Sequence, residues 1–104
     1  MNDNTDMEMV SMAIIANSGE GRRLSFEALR QARDKNFEKA DELIKQAEGY
    51  INEVHKVQMD LLVKEANGEK QELGILLIHA QDHFMTSLLA YDLICEMIEI
   101  LKEK

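Results

Sequence analysis

The stretch QELGILLIHAQDHFMTSLLAYDLICEMIEILKEK, residues 71–104, decides the fold of this chain. Its apolar residues fall into two sets, each recurring at helical spacings of three and four. Leu73, Leu77, Ala80, Phe84, Leu88, Tyr91, Cys95 and Ile98 make one stripe. Ile75, Ile78, Met85, Leu89, Leu93 and Ile100 make the other, with Asp82 among them. At about 100° per residue the two stripes lie well apart around a helix. One can pack inside a helical domain. The other needs a partner from outside it.

Upstream, Ala40, Ile44, Ala47, Ile51, Val54, Gln58 and Leu61 repeat at the same spacings and predict a helix over residues 36–66. Asn36 is placed to cap its start, with Glu38 in the acid-favouring first turn. Ala66-Asn67-Gly68 is a good stop. A first helix over residues 5–34 carries Val10, Ile14, Leu24, Ala28 and Leu29. Gly19 and Gly21 interrupt it, each costing a helix about 1 kcal/mol relative to alanine, so a bend or a close backbone approach is expected there. The third helix covers residues 71–103. There is no proline to break any of them, and neither strand alternation nor a repeat is visible. The expected fold is all-α: one domain over residues 1–104, an antiparallel three-helix bundle. Helices of this length span roughly 45 Å. A bundle so slender has much side surface, and a second apolar stripe on it is best buried by self-association. An oligomer centred on the third helix follows.

The chain is 45 % hydrophobic and 31 % charged, a globular balance. Its net charge of −8 repels phosphate backbones and anionic lipid, which argues against nucleic acid and membrane surfaces. Such a surface suits solvent or a basic protein partner. Cys95 is the single cysteine, so an internal disulfide or a cysteine zinc cluster is excluded. Its place on the first stripe marks it as an inert core residue. MNDNTDMEMV at the start carries acids rather than a basic leader, and no apolar run reaches the length of a membrane span. Those features predict a cytoplasmic protein with no direct membrane insertion.

The chemistry concentrates in His79-Ala-Gln-Asp82-His83-Phe-Met-Thr86. His79, His83 and Thr86 are spaced by four and three and share one helix face, between the two apolar stripes. Asp82 lies closer to Ile78, Met85 and Leu89. Imidazole is neutral near pH 7 and nucleophilic, which suits it to carry a phosphoryl group on one nitrogen while an acceptor holds the other. Donors nearby would assist by positioning and electrostatics. Gln81, Thr86, His83 and Gln58 are the candidate neighbours. Two other readings stay open. His79 and His83 at i and i+4 suggest a metal pair, for which Asp82, pointing away from the line joining them, makes a poor third ligand. A plain helical interaction protein would need no chemistry at all. His55, beside the apolar stripe of the second helix, reads as a structural histidine. Arg22 and Arg23 could reach a phosphate but read as solvated helix charges. The seven methionines read as core filler.

At these residues the sequence resembles the IIA component of the lactose/cellobiose class of the bacterial phosphoenolpyruvate-dependent sugar phosphotransferase system. The segment from His79 to Thr86 looks like the family's H-[AG]-Q-D-H-[LF]-M-T pattern. Asn52-Glu-Val-His55 with Gln58 resembles its N-E-A-H-x-x-Q stretch, with Val54 in place of the usual alanine. Ile15-Ala-Asn-Ser-Gly19 followed by Arg22 looks like its signature on the first helix, although Glu20-Gly21 departs from some versions of it. The resemblance runs from Met9 to Leu101. It implies a three-helix bundle that forms a homotrimer, with His79 as the phosphorylated residue. It also implies that Asp82 faces the trimer axis and binds a metal ion there. Three carboxylates around one axis repel one another unless a cation compensates, and oxygen ligands suit a hard ion such as magnesium. The implied donor is the histidine phosphocarrier protein and the implied acceptor is the cognate IIB component. Asn17-Ser18-Gly19 and Ala80 look more like the cellobiose/chitobiose branch than the lactose branch.

Overall fold

The computed structural model describes residues 3–104, with side chains from residue 6 onward. The reading of the first ten residues as no leader falls partly on residues 1–5, outside the described side chains. Three helices fill the chain: α1 over Asp3–Arg33, α2 over Phe37–Ala66 and α3 over Ile75–Lys102. Among the described residues there is no strand. The bundle measures 52 × 22 × 19 Å, a rod about as long as its helices.

The ends of the helices have local causes. After α1 the chain reverses in three residues. Lys35 takes the left-handed conformation at φ 65°, while Asn36 N donates to Gln31 O at 2.8 Å and Lys35 N to Ala32 O at 3.0 Å. That is the usual left-handed stop, made here by a lysine instead of glycine. Asn36 does precede α2, but its side chain does not cap it. Its amide donates to Gln31 Oε1 at 3.1 Å instead, back toward α1. At the far end Gly68 is left-handed at φ 90°, and Glu69 N closes onto Lys64 O at 3.0 Å, the expected stop. The third helix starts four residues later than its apolar pattern suggests. Gly74 is extended at φ −119° and ψ 167°, and the helix begins only beyond it. Leu73 therefore lies outside the helix and is 76 % exposed instead of heading the core stripe.

α1 is the spine. It packs along both α2 and α3, which touch each other much less. Ile14 meets Ile51, Val54, Ala80 and Phe84 in one core cluster. Leu24, Ala28 and Ala32 meet Ala40, Leu43, Ala47, Ile94 and Ile98 in the other. This order shows that α1 and α3 run parallel, with α2 antiparallel between them in sequence. Alanines at many of these contacts let the helix axes approach closely.

The buried edge of α3 is turned slightly from the stripe expected of it. Ser87 and Ile94 are buried, while Leu88, Tyr91 and Cys95 are half-buried. Burial pushes the Cys95 thiol upward, which keeps it in the unreactive thiol form. Four serines are buried: Ser11, Ser18, Ser25 and Ser87. The three on α1 are seven residues apart and follow one line of the contact. Ser25 donates to Gly21 O at 2.8 Å, within its own helix. The helix runs through Gly19 and Gly21 without a break. A Cβ on Gly21 would stand 2.9 Å from Ile51 Cδ1, so this glycine serves the close approach of α2.

Candidate functional site

The site lies on α3 where α1 passes beside it. The His79 and His83 rings stack with centroids 6.0 Å apart and planes 17° from parallel. One helical turn separates them, so the stacking follows directly from the i, i+4 spacing. His79 is exposed and His83 is half-buried. The cover over His83 comes from α1. A Cβ on Gly19 would lie 3.5 Å from His83 Nε2, so the bare backbone of α1 faces that nitrogen.

Burial holds the pKa of His83 below its ordinary value, helped by the positive charge of Arg22 and by His79. Asp82 works in the opposite direction. His83 is therefore neutral at pH 7 and offers one N–H and one lone pair. Arg22 is thus part of this corner, and of the two readings its sequence offered, reach toward a phosphate or a solvated helix charge, its place here favours the first. The two neighbouring arginines on α1 are committed elsewhere: Arg23 pairs with Glu20 and Arg30 with Glu27. Among the described residues Arg22 has no carboxylate partner.

The polar residues singled out beside the histidines do not all join them. The Thr86 hydroxyl donates to Asp82 O at 3.0 Å and His83 O at 3.2 Å, so it is turned onto its own helix. Gln58 Nε2 donates to Gln81 Oε1 at 2.8 Å, tying α2 to α3. Gln81 is two residues past His79, about 200° around the helix, so this pair lies on the opposite side of α3. Asp82 is exposed, set among the bare side chains of Ile78, Met85 and Leu89. His55 is exposed too, which corrects its reading as a structural histidine. Among the described residues no three His, Cys, Asp or Glu side chains come together in a metal-binding group, so the histidine pair has no third ligand within the chain. No described helix is long and apolar enough to cross a membrane.

The buried serines escaped the reading of apolar stripes, since serine contributes to none; their usable signal was the seven-residue spacing of Ser11, Ser18 and Ser25. Of the bend or close approach expected at Gly19 and Gly21, the structure shows the close approach, with Gly21 against Ile51 and Gly19 against His83.

Comparison with known proteins agrees with this arrangement. Residues 9–102 match the family described as "PTS system, Lactose/Cellobiose specific IIA subunit". The chain is 42 % identical over 95 residues to the PTS system N,N'-diacetylchitobiose-specific EIIA component of Escherichia coli (strain K12), covering 91 % of this chain and 82 % of that one. The crystal structure of the PTS cellobiose-specific enzyme IIA from Bacillus anthracis superposes with a TM-score of 0.88 at 40 % identity, over 93 % of this chain and 89 % of that one. The IIA protein in the solution structures of the IIA(Chitobiose)–HPr complex from the Escherichia coli phosphotransferase system gives a TM-score of 0.79 at 40 % identity, over 93 % and 94 %. The family match over residues 9–102 and the 42 % identity to a chitobiose-specific component make this chain a phosphotransferase component, and it belongs to the lactose/cellobiose-specific IIA subunits of the sugar phosphotransferase system.

Proposed function

We propose that His79 is the residue on which this chain carries its phosphoryl group. The observation behind this reading is the contrast within the stacked pair: His79 is open to solvent and His83 is covered by α1. The open ring is the better placed of the two to meet a second protein. An imidazole nitrogen of His79 attacks the phosphorus of the donor's phosphohistidine. The new N–P bond forms as the old one breaks, and the electron pair returns to the donor's ring. The same exchange in reverse delivers the group to the next carrier. The donor is the histidine phosphocarrier protein, supported by the relative solved in complex with HPr. The acceptor is the cognate IIB component, and the setting is the cytoplasm. The transported sugar is of the cellobiose/chitobiose type, supported by the E. coli and B. anthracis relatives.

The working form is a homotrimer built on α3. Ile75, Ile78, Met85, Leu89, Leu93 and Ile100 are all exposed, with Ile75 at 86 % and Leu89 at 59 %. An apolar face of this extent on one helix, broken only at Asp82, is costly in water unless covered. In that assembly Gln58 and Gln81, which point away from the histidines of their own chain, can serve the histidine face of a neighbouring copy. One chain alone offers a cation a single carboxylate, that of Asp82. Three copies around the axis would offer three, which fits a hard cation such as magnesium completed by water. Its contribution there would be to offset the repulsion among the carboxylates.

The test is phosphorylation by the phosphorylated histidine phosphocarrier protein. Wild type and His83→Gln should gain acid-labile, base-stable phosphate, and His79→Gln should stay folded and gain none. Phosphate on His83 with His79 bare would overturn the assignment.

A further inference from the structure

The site carries a positive charge that the transfer chemistry, as described so far, does not use. We propose that Arg22 of α1 binds the phosphoryl group carried on His79, reaching it past Gly19 and across the edge of His83. This rests on the reading of His79 as the phosphorylated residue.

Three observations support it. First, Arg22 is held free. In a chain of net charge −8, Arg23 and Arg30 are each taken by a carboxylate three residues earlier, and among the described residues Arg22 is not. A half-buried arginine without a carboxylate partner among the described residues is poised for an anion that arrives later. Second, its path is open. Side chains on a helix lean toward its N-terminus, so Arg22 points back along α1 toward the turn of Gly19. Gly19 has no side chain in that path, and its bare backbone faces His83 Nε2, 3.5 Å from where a Cβ would stand. Third, Arg22 lies close enough for its charge to act on the His83 ring. α1 and α3 run parallel, so the direction in which Arg22 leans is also the direction from His83 toward His79. The two rings are 6.0 Å apart, so a cation that reaches past His83 comes within range of a phosphoryl group carried on His79. Thr86 offers no competing donor there, because its hydroxyl is spent on its own helix.

Arg22 thereby supplies fixed donors to oxygens that carry charge, the role such groups have in phosphoryl transfer generally. A nearby cation also favours the dianionic over the monoanionic phosphoryl group. The two states can be told apart by phosphorus NMR. The experiment loads wild type, Arg22→Gln, Arg22→Met, Arg22→Lys and Arg23→Gln from the phosphorylated histidine phosphocarrier protein and follows the phosphorus shift against pH. Circular dichroism and light scattering check that each variant is intact, and Arg22→Met, which keeps an apolar stem, stands in should Arg22→Gln fold poorly. Removing the charge at Arg22 should raise the phosphoryl titration midpoint by about one pH unit. It should also lower the phosphorylated fraction at equilibrium with the donor about tenfold, the scale of one charge-assisted hydrogen bond. Arg22→Lys should recover most of the midpoint shift as a point charge, and Arg23→Gln should match wild type. Phosphate on His79 with the same midpoint in Arg22→Gln, Arg22→Met and Arg23→Gln would overturn the inference. A wild-type chain that takes no phosphate on His79 would overturn the reading beneath it, and this inference with it.

Discussion

The two faces of α3 are built from the same kinds of residue and have opposite fates. Leu77, Ala80, Phe84, Ile94 and Ile98 are buried against α1 and α2. Ile75, Ile78, Met85, Leu89 and Leu93, on the same 28-residue helix, stay bare. Hydrophobicity does not separate them. Size and placement do. The inner face alternates large residues with Ala80 and Ser87, so that α1 can come close. The outer face is large throughout, interrupted by the single carboxylate Asp82. One face is shaped for close antiparallel and parallel neighbours within the chain, and the other, in the proposed trimer, would meet like side chains of other copies. The histidine pair lies at the boundary between them, where α1 covers one ring and leaves the other open.

The comparison breaks most clearly on the inner face. Phe84 is fully buried, and Phe84→Ala should cost the chain's own fold about 3–5 kcal/mol, seen in urea unfolding. If the variant unfolded at the same urea concentration as wild type, the inner face would not be the core. The outer face should respond in the opposite way. Leu89→Lys puts a charge into the proposed trimer contact and should weaken assembly by several kcal/mol. The unfolding free energy at concentrations where both proteins are monomeric should stay within about 0.5 kcal/mol of wild type, because Leu89 is already in water there. Light scattering that gives a wild-type monomer at micromolar concentration would remove the outer face from the assembly.

Asp82 sharpens the same contrast at smaller scale. With a cation at the axis, a chelator should loosen the wild-type trimer and leave Asp82→Leu unaffected, since the substitution makes the apolar stripe continuous and removes the repulsion. Equal responses of the two proteins would exclude a cation held by Asp82.

The smallest effects separate two glycines in helices. Gly49 on α2 has open space where a Cβ would go, so Gly49→Ala should stabilise the chain by about 1 kcal/mol through helix propensity alone. At Gly21 the same gain is opposed by a Cβ 2.9 Å from the buried Ile51 side chain. Overpacking of this kind costs about 1–3 kcal/mol, so Gly21→Ala should end neutral to destabilising. Thermal midpoints of the two variants that moved upward by equal amounts would show that α2 yields at Ile51.

The sequence by itself determined the number and type of the elements, because helical periodicity repeats along nearly the whole chain and no proline interrupts it. It also placed His79 and His83 on one face, since a spacing of four is enough on any helix. Its stop at Asn67-Gly68 was legible for the same local reason, a left-handed glycine. What depends on how helices meet was not legible. The start of α3 beyond Gly74 and the idle cap at Asn36 were set by the chain's need to turn, against local preference. Only the tertiary structure decided that α1 is the shared spine, that serines line its contact, and that Gln58 spends itself on Gln81 on the far side from the histidines. It alone distinguished the two histidines, covering His83 with the backbone of Gly19 and leaving His79 open, and it alone set Arg22 apart from Arg23. The physical reason is the same in each case. Periodicity fixes which side chains share a face, whereas burial and charge at that face depend on the neighbour that packs against it.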